Sequence, residues 1–261
     1  MSTPGGGGGG GPQGPSSELG GRLRAHLAWL FDLFVRSARL YRAHIWMFVA
    51  IAGGVVAVVD VILGVGLGEL TSRYQSDPSS ANGVITLAAS AFVTTPLITA
   101  MLAQAVVDIR AGEPGSATGA VQRGLDLFAP VLIVIILYVA AVIAGFFAFI
   151  VPGVYIAVSW YFVAQAVVID GRRGFAGLAR SGELVRGNWW RALSAGLLFN
   201  VAVAIPSSAL KVVFAAAAKA ADAQGILVVG DIVYEAFALP FVAVGATLFY
   251  LQLRDAPRSP R

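Results

Sequence analysis

Six apolar stretches, each long enough or nearly long enough to cross a bilayer, divide this chain, and the basic residues between them fall almost entirely on alternate sides. They run Ile45 to Leu67, Val84 to Val107, Phe128 to Ile150, Val154 to Ile169, Trp189 to Ala217 and Ile226 to Leu253. A helix needs about 20 apolar residues to cross the hydrocarbon core. Hydrophobic residues make up 57% of the chain and charged residues 12%, where soluble domains carry roughly a quarter charged. A soluble core cannot hide that much apolar surface. The expected fold class is therefore all-α: an integral membrane helical bundle of six transmembrane helices in three hairpins, with amphipathic cytoplasmic lead-in helices.

The fourth stretch is short, and only Val151-Pro152-Gly153 separates it from the third. That breaker pair predicts a tight turn at the membrane face, with the proline opening the next helix.

Fifteen of the 18 lysines and arginines lie on one side of this arrangement: Arg22 to Arg42 before the first span, Arg110 and Arg123, Arg172 to Arg191, and Arg254 to Arg261. Arg73, Lys211 and Lys219 fall on the other. The positive-inside rule then places both termini in the cytoplasm, and the expected location is a bacterial inner membrane.

Residues 1–17, with Gly5 to Gly11 and three prolines, have little to bury and much entropy to lose, which predicts a disordered tail. Residues 18–253 then form the membrane domain and 254–261 a short basic tail. No basic, apolar and small-residue sequence at the start suggests a cleaved signal. With zero cysteines there is no disulfide, thiolate metal site or cysteine nucleophile.

Before the first span, Leu23, Leu27, Leu30, Phe34 and Tyr41 share one helical face, with Asp32, Arg36 and Arg39 opposite. The same pattern suits a helix lying in the inner interface or one packed on the cytoplasmic ends of the bundle. Arg36-Ser37-Ala38-Arg39-Leu40, Arg123-Gly124-Leu125-Asp126-Leu127 and Arg180-Ser181-Gly182-Glu183-Leu184 each set an arginine, a small residue and a later leucine before a pair of spans. They read either as a weak threefold repeat, unequal in spacing, or as chance similarity of basic flanks.

Pro152-Gly153-Val154-Tyr155, Ala166-Val167-Val168-Ile169-Asp170-Gly171 and Leu178 to Arg191, which includes Arg186-Gly187-Asn188-Trp189-Trp190-Arg191, carry a family pattern. This stretch resembles the membrane domain associated with glycerophosphodiester phosphodiesterases and related multi-span bacterial proteins of unknown function. In that family a basic residue commonly stands where this chain has Ser159. The resemblance implies a helical membrane domain without the phosphodiesterase reaction, which belongs there to a separate barrel that this chain has no residues to build.

Physically, Trp189 and Trp190 sit where a cytoplasmic loop re-enters the membrane, flanked by Arg186 and Arg191. With Arg36, Arg39 and Arg180 they form a candidate face that either anchors the bundle at the interface or binds lipid headgroups or a protein partner. Asp60, Lys211 and Glu235 fall in the outer half of their spans. An ionisable group there costs about 2.5 to 3.5 kcal/mol at a helix centre. These three are a candidate polar cluster, either a ligand or ion pocket or an Asp60 to Lys211 lock between helices. Pro96, Pro206 and Pro240 interrupt spans where a cavity can form, and Asn200 and Gln165 add polar groups at other depths.

His26 and His44 are the only histidines, so no metal site or cofactor is expected, nor a histidine base at membrane depth. The glycines from Gly112 to Gly119 lack the lysine of a phosphate loop. The arginines follow topology, which argues against nucleic acid as a partner. The expected function is a non-enzymatic accessory or scaffold that interacts with membrane lipids and with a membrane or cytoplasmic protein. The alternative is a small transporter or lipid-handling protein with an outer-half polar pocket.

Overall fold

The structure is a computed structural model that describes residues 15–66, 90–113, 117–221 and 225–256. Every regular element among them is helical: α1 Pro15–Ala43, α2 Ile45–Gly66, α3 Thr95–Arg110, α4 Ala117–Asp126, α5 Phe128–Ala148, α6 Ile150–Ser159, α7 Val163–Asp170, α8 Phe175–Val185, α9 Trp189–Ala221 and α10 Gly225–Asp255. A π-turn, Ser90–Thr94, leads into α3. Five stretches are long and apolar enough to cross a membrane: Phe92–Arg110, Phe128–Ala148, Ile150–Asp170, Trp189–Ala221 and Ile232–Asp255. A sixth joins them if α1 and α2, which meet at 81°, are taken as one bent span. Most of the anticipated tail, residues 1–14, lies outside the described residues, as do Arg73, Arg258 and Arg261.

α10 is the central post, packed against α1, α2, α3 and α9. Phe48, Val56, Leu102 and Val106 meet Val244 and Leu251 in one apolar cluster, and Leu33, Phe162 and Phe199 meet Phe249 and Tyr250 in another. The outward faces of the spans stay apolar and exposed, as at Ile133, Phe147, Leu197 and Ile205, which suits hydrocarbon.

Two breaks differ from the sequence expectation. Phe149, with φ −168° and ψ 158°, is the extended residue between α5 and α6, so the turn lies upstream of Pro152 and α6 starts at Ile150. Pro152 falls in the first helical turn, where its missing N–H has no partner to lose. The two helices then close tightly: a Cβ on Gly145 would stand 2.9 Å from Cα of Gly153. The fourth span is also longer than expected, 21 residues, and it is broken at Trp160–Phe162.

Ser181 of α8 repairs that break. Its fully buried Oγ donates to the carbonyl of Ser159 (3.0 Å) and accepts from the Phe162 N–H (3.2 Å), satisfying groups the interrupted helix frees. Irregular backbone at membrane depth persists only where protein satisfies it or a cavity adjoins it.

α1 is packed on the bundle through Leu33, Ser37 and Tyr41, with Trp29 and Phe34 beside them. The Tyr41 hydroxyl donates to the carbonyl of Phe237 at 2.9 Å. Leu23 and Leu27, grouped in sequence with the packing face, are instead exposed together with Phe31. The α1 helix thus carries two apolar faces, one on the bundle and one turned outward.

Candidate functional site

A cavity of about 620 Å³ opens among α3, α5, α7, α9 and α10. Its wall is mostly apolar, and its polar members are Thr95, Thr99, Tyr138, Tyr161, Gln165, Asn200 and Tyr234. No charged side chain among the described residues lines it. The helix irregularities gather around this space: Tyr161 sits in the break of the fourth span, Thr95 follows the π-turn, Val203 and Ala204 precede Pro206, and Leu239 precedes Pro240.

Three observations give the cavity chemical character. Gln165 is 3% exposed and its Oε1 has no hydrogen-bond partner, leaving a buried acceptor at the wall. The Tyr138 hydroxyl donates to the carbonyl of Ala157 at 3.3 Å. Asn200 donates one amide hydrogen to the Gly196 carbonyl, 2.8 Å away, and its amide also interacts with the Tyr161 hydroxyl in the same wall. A buried polar atom left unpaired costs about 1–3 kcal/mol, which a ligand or water in the cavity can recover. The cavity is open at one edge. α5 and α9 both contribute to the wall yet barely touch each other, and Asn200 and Ala204 at that edge are exposed.

The charged residues singled out in sequence lie elsewhere. Asp60 belongs to α2, but its side chain is outside the described residues. Lys211 on α9 sets its Nζ 5.3 Å from the ring centroid of Tyr234 on α10, next in the chain to half-buried Glu235. Neither Lys211 nor Glu235 lines the cavity.

The arginine face separates into different jobs. Arg180 Nε donates to Asp170 Oδ2 at 2.6 Å, and that hydrogen bond raises the guanidinium pKa above its ordinary value. Arg254 Nη1 stands 3.9 Å from the other Asp170 oxygen, so one carboxylate clasps α7, α8 and α10 together. Gly171, at φ 65°, ends α7 in the left-handed conformation immediately after Asp170, a geometry that favours glycine at that position. Arg123 makes the parallel contact: its Nη2 lies 2.6 Å from Asp108 Oδ2, while Gln104 donates to Oδ1 at 2.8 Å. Arg36 instead pairs with Asp32 on its own helix. Arg191 stacks over Trp29, 5.4 Å from the ring centroid; Trp189 is half-buried against Tyr155, and Trp190 is exposed. Arg186 and Arg39 are exposed.

Sequence reasoning missed a serine and histidine pair: His26 Nε2 lies 3.0 Å from Ser194 Oγ. It sits near the start of α9, and the Ser194 hydroxyl also faces the Arg191 carbonyl at 3.1 Å. Among the described residues no carboxylate contacts the imidazole, and neither His26 nor Ser194 lines the 620 Å³ cavity, so the pair reads as a tie between α1 and α9. No group of three or more potential metal ligands occurs among the described residues.

Residues 115–253, just over half of the chain, match the family described as Domain of unknown function (DUF7847), and the chain belongs to that family. No curated protein and no solved structure matches it.

Proposed function

We propose that this family member is a non-enzymatic, lipid-handling protein that holds an uncharged amphiphile in its intramembrane cavity. The carrying observation is a 620 Å³ space with a neutral polar wall, an orphaned Gln165 acceptor and exposed lining residues at Asn200 and Ala204. That volume lies within the roughly 300–1,000 Å³ of small-molecule pockets. The neutral wall argues against an inorganic ion and for a head that donates hydrogen bonds, with its tail leaving between α5 and α9. The reading includes six spans in three hairpins, with α1 a cytoplasmic lead-in rather than half of a span. At 22 residues α2 spans about 33 Å by itself. It also includes a bacterial inner-membrane location and kinship with the membrane domain found beside glycerophosphodiester phosphodiesterases.

The accessory role retains one supporting feature: exposed Arg186 and Trp190 share a cytoplasmic edge suited to a protein partner. Native mass spectrometry of the gently extracted protein, beside Gln165→Leu, separates the two. A stoichiometric neutral lipid lost in the variant supports the cavity function. A co-purifying polypeptide with no such lipid supports the accessory role.

A further inference from the structure

A second groove, of about 540 Å³, lies under α1 where it crosses the cytoplasmic ends of α3 and α10. Arg36, Arg39 and Arg110 line it, above a floor that includes Leu33, Leu40 and Leu248. Arg39 and Arg110 are exposed, and neither is in an ion pair among the described residues. The one carboxylate in the wall, Asp255, already holds Arg254 at 2.9 Å. Gln252 lines the same groove, its Oε1 buried without a hydrogen-bond partner. The site therefore offers excess positive charge, a polar acceptor and an apolar floor.

We infer that this groove binds one anionic phospholipid of the inner leaflet, its phosphate between Arg39 and Arg110 and the start of its acyl chains on the leucine floor. Guanidinium groups match phosphate oxygens in pairs, and their apolar stems cover the hydrocarbon below. Arg36 and Asp255 are each already paired, so the two remaining arginines, Arg39 and Arg110, supply the charge complementarity. A soluble acidic peptide would satisfy the arginines but leave the floor wet. The groove is separate from the intramembrane cavity, and the inference stands or falls independently of it. Arg110 joins a site whose other arginines lie about 70 residues earlier in the chain, so only the fold reveals it.

The test titrates the full chain, in neutral detergent, with phosphatidylglycerol and separately with phosphatidylcholine, and counts bound lipid by native mass spectrometry. One phosphatidylglycerol is expected to bind in preference to phosphatidylcholine. Arg39→Gln with Arg110→Gln should weaken it about thirtyfold, while Arg172→Gln with Arg173→Gln, an equal charge loss on exposed loop arginines, should leave it unchanged. Equal weakening in both pairs, no preference between the lipids, or displacement by millimolar inorganic phosphate would each overturn the inference. If the first pair aggregates, Arg110→Gln alone carries the same comparison with about a fivefold loss.

Discussion

Arg180 reaches back ten residues to place its Nε 2.6 Å from Asp170, and the contact closes the lead-in helix α8 onto the end of the preceding span. Arg123 does the same to Asp108, fifteen residues back. In both cases the residue after the arginine packs closely: Ser181 is fully buried, and a Cβ on Gly124 would collide with Met101. Two of the three lead-ins therefore share one mechanism. The first differs, because its Arg36 pairs with Asp32 within α1, although Ser37 is buried as its counterparts are.

The Asp170 clasp gives the first prediction. Both side chains are mostly buried, at 13% and 15% exposed, so removing Asp170 leaves Arg180 only a longer contact, 3.7 Å, with Glu183. Asp170→Ala should cost about 3 kcal/mol of stability, and Asp170→Leu with Arg180→Met should recover at least half of that. Thermal unfolding in detergent reads both. An additive double variant would mean that the pair is not coupled.

How far the sequence reached is clear at this site. The arginines were visible as a repeat, and Asp170-Gly171 as a motif, but their contacts were not, since neither spacing sets a helical i,i+4 neighbour. The presence of several membrane-length helices was legible because twenty apolar residues in a row have few other solutions, whereas the fourth came out longer than the sequence suggested. The break at Trp160–Phe162 was not legible, because no proline or glycine marks it and the hydroxyl that satisfies its backbone, Ser181, sits on another helix. Charge drew attention to Lys211 and Glu235, while the cavity is walled by neutral residues that look ordinary in a transmembrane stretch.

The turn between α5 and α6 depends on two backbones meeting at Gly145 and Gly153. Gly145→Ala forces its Cβ onto main-chain atoms that cannot rotate away, so we expect a loss of about 1–3 kcal/mol. Gly54→Ala, where the added carbon meets nothing within 4 Å, should be neutral or slightly stabilising through helix propensity. Paired melting curves decide it, and equal melting temperatures for the two variants would remove the close approach as a stability determinant.

Filling the cavity should separate ligand binding from folding. Ala204 lines the wall at its exposed edge, so Ala204→Phe adds a ring to open space rather than to packed core. Stability should change by less than about 1 kcal/mol, within the ordinary range for substitutions away from packed features. Co-purifying neutral lipid should fall at least tenfold. Retention of that lipid at wild-type stoichiometry would place it outside the cavity.

Topology reporters test the frame in which all of this sits. α1 meets α2 at 81° and is held to the bundle by Leu33, Ser37 and the Tyr41 hydroxyl, as a lead-in on the cytoplasmic side would be. If α1 and α2 are instead successive membrane crossings, the amino terminus moves outside. Arginines at positions 22, 24, 36, 39 and 42 oppose that, since each disfavours translocation of a short flanking segment. Fusions at residues 1 and 261 should both report cytoplasmic, with a fusion after Arg73 reporting the opposite side. An external signal at residue 1 alone would convert α1 into a span. The Arg39 and Arg110 groove would then lose its inner-leaflet setting, while the cavity between α5 and α9 would keep its walls.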